Sequence, residues 1–216
     1  MKKTLLYLIS LAIFAGLQEE AKAQTLSFLP RAGYSFDNSG RMVQTMASST
    51  VESGWLNPTY GADLLITLPF MDDFVGLGIG LESGNDFHQK FTVMQGDSTT
   101  LKQSRFIQAP AILFSVAANI PENKLPHLAG PIGGISFGTA FPNIDEQAKA
   151  NLFRMFLQLN YNFIVNQSIG EEEEMAYNIG CFFRSSFNFL TLTEGQIFGS
   201  SLEIGVKVAL GKKVEE

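Results

Sequence analysis

Apolar and polar residues alternate through long stretches of this chain. In LFRMFLQLNYNFIVN (152–166), Phe153, Met155, Leu157, Leu159, Tyr161, Phe163 and Val165 fall on one face of an extended strand. Arg154, Gln158, Asn160, Asn162 and Asn166 fall on the other, with Phe156 and Ile164 as intruders. Side chains of a strand point to opposite sides at each step, so the pattern predicts a sheet with one greasy and one polar surface. The period recurs. In EMAYNIGCFFRSSFNFLT, Met175, Tyr177, Ile179, Cys181, Phe183, Phe187 and Phe189 oppose Ala176, Asn178, Gly180, Arg184, Ser186 and Asn188. In SSLEIGVKVALG, Leu202, Ile204, Val206, Val208 and Leu210 oppose Glu203, Gly205, Lys207 and Ala209. In FVGLGIGLESG, Val75, Leu77, Ile79 and Leu81 oppose Gly76, Gly78, Gly80 and Glu82.

Eight strands are predicted, at 26–36, 59–70, 74–83, 105–119, 128–141, 152–166, 174–191 and 200–211, with no convincing helix. Several exceed the five or six residues usual in soluble proteins. Alternation alone leaves open which face points inward; the charges decide it. Within the strands they are few: Arg31, Asp63, Glu82, Arg154, Arg184, Glu203 and Lys207, all on the polar face among Gly, Ser, Asn and Ala, with Arg105 near a strand start. A soluble barrel needs many more Lys and Glu outside. The greasy face is therefore expected to meet lipid and the polar face to line a narrow lumen. Eight strands enclose little more than side chains, so those seven charges are expected to pair with one another, with no open pore.

Connection lengths point the same way for half the barrel. The gaps at 37–58 and 84–104 are long, whereas Met71-Asp72-Asp73 is a short turn. Membrane barrels alternate long outer loops with short periplasmic turns. The two later outer loops are no longer than the turns. The expected fold is all-β: an eight-stranded antiparallel transmembrane β-barrel in an up-and-down meander.

The N-terminus bears on location. Lys2 and Lys3 precede a thirteen-residue apolar run, 5–17, and then Ala21-Lys22-Ala23, a small-x-small cleavage pattern. This reads as a secretory signal peptide at 1–23, with a barrel domain at 24–216 and a bacterial outer-membrane destination. The domain carries twelve Lys+Arg and nineteen Asp+Glu, net −7. So acidic a chain is a poor partner for nucleic acid. One cysteine, Cys181, and two histidines, His88 and His127, provide neither a disulfide nor a metal-ligand set. No cofactor or metal is expected, and Cys181 is expected to face lipid. The four glutamates at 171–174 read as a solvated turn.

Two stretches invite chemical readings. GLGIG (76–80) lacks the spacing of a nucleotide loop and opens no helix; its alternate glycines fit strand curvature or room for lumen side chains. ESGNDFHQ places Glu82, Ser83, Asp86 and His88 close together, with Ser98 nearby, the residue types of a Ser-His-acid hydrolase. Residues so near along a strand and loop seldom converge, so the expectation is a solvated loop and no catalytic residues. A small lipid-modifying enzyme using His88 is the alternative from another class, and a soluble lipocalin-like carrier with reversed faces is a third. Trp55 lies in the first long loop, where surface binding could occur.

The segment RFIQAPAILFSVAANIPENKLPHLAGPIGGISFG resembles the PorT-like outer-membrane β-barrel proteins. Pro110 takes the place of their central strand proline, and Ala129, Gly130, Pro131, Gly133 and Gly134 that of their AGP-type motif. The chain end is similar to the signal read by the barrel assembly machinery. Glu203, Gly205, Val208 and Leu210 match its polar, glycine and apolar places, and Leu210 replaces the usual aromatic. The resemblance implies an eight-stranded outer-membrane barrel; some relatives assist protein secretion and gliding. The expected partners are the lipid bilayer, the assembly machinery and proteins reached through the outer loops 37–58 and 84–104.

Overall fold

The computed structural model describes residues 25–38, 41–44, 47–50, 56–68, 71, 73–83, 86–95, 99–143, 149–169, 175–192 and 195–212. They form twelve strands: β1 (Leu26–Asn38), β2 (Arg41–Gln44), β3 (Ala47–Thr50), β4 (Leu56–Thr67), β5 (Val75–Ser83), β6 (Asp86–Gln95), β7 (Thr99–Gln108), β8 (Ala111–Ile120), β9 (Gly130–Ala140), β10 (Ala150–Ile169), β11 (Met175–Leu192) and β12 (Gly195–Lys212). Eight of them close into a barrel in the order β1-β12-β11-β10-β9-β8-β5-β4. Every pairing is antiparallel, each barrel strand bonds to the next in sequence, and β12 returns to β1. The expected signal peptide and the four glutamates lie outside the described residues.

The alternation becomes a two-sided wall. Along β10, Phe153, Met155, Leu157, Leu159, Tyr161 and Phe163 are exposed, while Arg154, Phe156, Gln158, Asn160 and Asn162 are buried. Leu159 is 75% exposed, Leu157 70% and Ile204 66%, whereas Arg154, Arg184 and Lys207 are each 1% exposed. This inverts the soluble rule that charge is outside and leucine inside. A soluble carrier would need the reverse, so that alternative fails on the wall itself. The exposed run Phe153–Phe163 corresponds to about 25 Å of height for a strand tilted ~40°, the thickness of an outer-membrane apolar band. Aromatic clusters such as Phe189 with Phe153 (5.8 Å) and Phe198 (5.1 Å) sit towards one rim.

Three expectations are corrected. The long gaps are not bare loops: β2, β3, β6 and β7 form a second, four-stranded sheet in the order β2-β3-β6-β7, on the long-loop side. The predicted strand at 105–119 is two strands, broken at Ala109-Pro110. Proline has no N–H to give a ladder, and here its carbonyl instead accepts from Phe141 N at 2.8 Å. The alternation predicted through Val165 fails beyond Phe163, because β10 bulges against β11 between Asn162 and Gln167. Asn166 takes φ 52°, and its N–H donates to Asn178 Oδ1 at 2.6 Å instead of to the ladder.

Candidate functional site in the barrel lumen

Six charged side chains from six strands converge inside the barrel: Arg31 (β1), Asp63 (β4), Glu82 (β5), Arg154 (β10), Arg184 (β11) and Glu203 (β12), all buried. Arg31 is the hub. Its Nη1 lies 2.8 Å from Asp63 Oδ2, its Nη2 3.2 Å from Glu82 Oε2 and its Nε 3.2 Å from Glu203 Oε2. Asp63 Oδ2 also accepts from Arg184 Nη1 at 2.5 Å, and Glu82 Oε2 also pairs with Arg154 Nη2. Three arginines thus meet three carboxylates, and the cluster is neutral overall. That balance is what a low-dielectric interior demands, since an unpaired buried charge is costly.

Uncharged groups complete the arrangement. Thr59 Oγ1 donates to Glu203 Oε1 (2.8 Å), Arg154 Nε to Asn188 Oδ1 (2.7 Å) and Arg184 Nε to Gln158 Oε1 (2.8 Å). The lumen is narrow enough that glycines are required. A Cβ on Gly61 would stand 2.8 Å from the Arg31 guanidinium, and one on Gly80 would collide with Asp63 Oδ1. The glycines of GLGIG therefore make room for lumen side chains.

An apolar layer, Leu29, Leu65, Ala117, Phe156 and Phe182, fills the lumen beside the cluster. The Arg184 guanidinium stacks 4.5 Å from the Phe156 ring centre and 5.4 Å from that of Phe182. Phe156, an intruder on the polar face by pattern, is thus the cluster's apolar floor. On the long-loop side a second apolar group includes Leu113, Leu152, Leu190 and Leu192.

Lys207 is the exception among the seven predicted charges. Its ammonium joins none of the ion pairs and donates instead to the carbonyl of Ala129 at 2.6 Å. Ala129 belongs to the β8–β9 connection, which carries a short 3-10 turn, Pro126–Leu128. This connection folds over the short-turn mouth of the barrel as a lid. Asn162 Nδ2 donates to Pro126 O (2.7 Å) and Ala129 O (3.1 Å), and Asn160 Nδ2 to Pro131 O (2.7 Å). His127 Nδ1 lies 3.0 Å from Asn162 O, and its ring stacks 6.4 Å from Tyr161. Gly130 at φ +122° lets the chain turn inward, beside Lys207 and Asn160, which an L side chain there would crowd. The AGP stretch is therefore the lid's hinge into β9. Sequence reasoning missed these lid contacts because their acceptors are main-chain carbonyls, which carry no residue signature; the Asn-x-Asn pair on the lumen face was the available signal.

The remaining predicted residues fall as follows. Glu203, Gly205, Val208 and Leu210 lie on β12, the strand that closes on β1; Glu203 serves the ion cluster, and Gly205 leaves room for the Phe182 ring. Of the candidate hydrolase residues, Glu82 has its carboxylate engaged by Arg31 and Arg154. Ser83 is exposed, Asp86 and His88 lie in β6, and Ser98 and Trp55 are outside the described residues. Cys181 is exposed on the outer wall. Among the described residues no group of His, Cys, Asp and Glu is placed to hold a metal ion.

No family model matches the chain, and no curated protein matches it either. Among solved structures it is similar to the outer membrane protein OprG from Pseudomonas aeruginosa, at 11% identity over 90% of this chain and 97% of that one, TM-score 0.33. It is also similar to the β domain of the Bordetella autotransporter BrkA, at 7% identity over 89% of this chain and 100% of that one, TM-score 0.29. Likenesses so remote carry no argument about function.

Proposed function

We propose that this chain is a bacterial outer-membrane barrel with a closed lumen and a structural or interaction role, its long-loop sheet β2-β3-β6-β7 presented outward as an accessory surface for a protein-secretion assembly. The inverted wall carries the reading: exposed leucines, isoleucines and phenylalanines encircle a core of paired charges, an arrangement stable only where the surroundings are apolar. The first and last residues of the barrel wall, Leu26 and Lys212, lie at one mouth and the long connections after β1 and β5 at the other, the arrangement in which outer-membrane barrels direct the first mouth to the periplasm. The ion cluster, the apolar layer and the lid fill successive levels of the lumen, which supports closure against ions. Engagement of Glu82 by two arginines supports a role without catalysis at His88. The secretion role rests on the PorT-like resemblance.

The protein is expected in the outer-membrane fraction, resistant to alkaline extraction, migrating differently on gels before and after boiling. Recovery from the soluble periplasm would refute the membrane reading. Planar bilayers should register no steady conductance from the intact barrel. Affinity purification from native membranes should bring down secretion components; a His88→Ala variant with altered lipid composition at normal protein level would replace this reading with the enzymatic one.

A further inference from the structure

We propose that the free edge of β7 is a docking strand for an extended, acidic segment of a partner protein, which adds to the sheet β2-β3-β6-β7 as a fifth strand. This names the partner class for the surface put forward above and rests on that reading. A closed barrel has no edge strand, whereas the four-stranded sheet is open and has two, β2 and β7. The two edges differ. β2 spans four residues, Arg41–Gln44, and lies against β12 of the barrel. β7 spans ten, Thr99–Gln108, and among the described residues it pairs with β6 alone. Its register runs unbroken from Gln108 opposite Asp86 to Thr99 opposite Gln95. In such a ladder every second residue turns both its N–H and its C=O away from the partner strand. β7 therefore presents an unpaired backbone row about 33 Å long at the usual strand rise.

Native proteins blunt an exposed edge by shortening it, by a bulge, by proline or by charge. β2 is short. β7 is long, contains no proline and has no bulge against β6; what it carries instead is two cations, Lys102 and Arg105, with no acid among its ten residues. The four strands together hold Arg41, Lys90, Lys102 and Arg105 against Asp86, in a chain that is acidic overall. These features single out the occupant. A row of backbone donors and acceptors is matched by another extended backbone, which lipid and sugar cannot supply. A second copy fits poorly. Two copies in one membrane point the same way, so their β7 edges meet in parallel, with Lys102 beside Lys102 and Arg105 beside Arg105, and like charges so juxtaposed are costly. A partner strand that carries Asp or Glu at those places gains both the ladder and the charge pairing.

Strand addition has a register, and that gives the test. In the full-length protein in native outer membranes, a photo-crosslinking amino acid is placed in turn at Thr99, Leu101 and Gln103 of β7, and as a control at Ser48 of β3, a strand with neighbours on both sides. Crosslinked peptides are sequenced by mass spectrometry. The expected result is one acidic segment of one partner, captured at points that step by two residues along it as the crosslinker moves along β7, with no capture from Ser48. Reversing the edge charge, Lys102→Glu with Arg105→Glu, should lower the yield about tenfold, while the boiling-dependent gel shift shows the barrel still folded. A crosslinked product of twice the chain's mass would mean a second copy and overturn the proposal. Capture at scattered points without register, capture undiminished in the folded charge-reversed variant, or no capture at all would overturn it too. Capture in register of a protein outside any secretion assembly would uphold the docking edge and remove the secretion reading. Secretion components that co-purify without a β7 crosslink would do the opposite. The register seen with the native charges decides the matter even where the charge-reversed variant folds poorly.

Discussion

Arg31 and Lys207 reach into the same lumen from the two strands that meet at the β1–β12 seam, yet they are satisfied differently. Arg31 stands among three carboxylates from three other strands, each shared with or set beside another group, and the cluster has no net charge. Lys207 binds a main-chain carbonyl of the lid, that of Ala129, at 2.6 Å. A guanidinium has five donors in a planar fork and can bridge several acids; an ammonium is a compact charge that one carbonyl can engage. The cluster ties opposite walls of the barrel together, so it forms only when the barrel closes. The lid contact ties one connection to one strand and needs less of the barrel in place.

The largest effect should follow from removing the hub. Arg31→Leu leaves three buried carboxylates with two arginines, and breaking a buried pair in this way costs about 3–5 kcal/mol. Urea unfolding of the barrel in vesicles should show a lowered midpoint of that order, and the unboiled gel species should be depleted. A loss below about 1 kcal/mol would mean that the cluster is solvated and not closed.

Next in size is a change on the other side of the wall. Leu157→Arg places a charge on the outward face, where such substitutions cost about 2–4 kcal/mol near the membrane midplane. The inward neighbour Asn160 is no neutral control, because its amide donates to Pro131 O and accepts from Gln158 Nε2. Asn160→Asp loses the first bond but sets a carboxylate beside Lys207, so it should cost less than Leu157→Arg. The reverse order, read from the same unfolding curves, would mean that the faces are assigned backwards.

How much of this contrast could be read from the sequence differs between the two regions. Period-two alternation and the scarcity of strand charges were enough for the eight-strand barrel and for which side each of the seven charges takes, since both follow from local geometry. Pairing was not legible: that Arg31 rather than Arg154 touches all three acids depends on shear and register, which no local pattern encodes. Phe156 looked like an error in the polar face; with Phe182, which the pattern left unassigned, it is instead the apolar floor beneath Arg184. The lid was invisible because asparagine side chains bonded to carbonyls look like any polar lumen residue. The extra sheet was missed because the loop sequences alternate weakly and their strands pair with each other rather than with the barrel.

At the lid, Asn162→Leu removes two donated bonds, to Pro126 O and Ala129 O. Both carbonyls keep another donor, Ala129 N on Pro126 O at 3.4 Å and Lys207 Nζ on Ala129 O at 2.6 Å, so the loss is that of two ordinary hydrogen bonds, about 1–3 kcal/mol in all. Because the lid joins few strands, the loss should be local. Hydrogen exchange should quicken across 121–131 while β11 and β12 keep their protection. Faster exchange throughout the barrel would mean that lid and cluster form one cooperative unit, and the contrast between them would not hold.

The smallest expected effect is the sharpest test of that contrast. Arg31 and Lys207 share no partner, so their substitutions should act independently. Lys207→Met removes the charge and the bond to Ala129 O together, keeps an unbranched apolar stem in its place, and should cost about 1.5–3 kcal/mol, the range for losing a charged hydrogen bond. In a double-mutant cycle with Arg31→Leu, the interaction energy should stay within about 0.5 kcal/mol, as for separate sites. Arg31 and Glu203, in contact at 3.2 Å, should behave otherwise. Glu203→Gln combined with Arg31→Leu also removes one of the orphaned carboxylates that Arg31→Leu leaves behind, so the pair should be less damaging than the sum of its parts, by about 0.5–3 kcal/mol. Equal coupling in both cycles would show that Lys207 belongs to the ion cluster after all, through the field of the narrow lumen rather than through any contact.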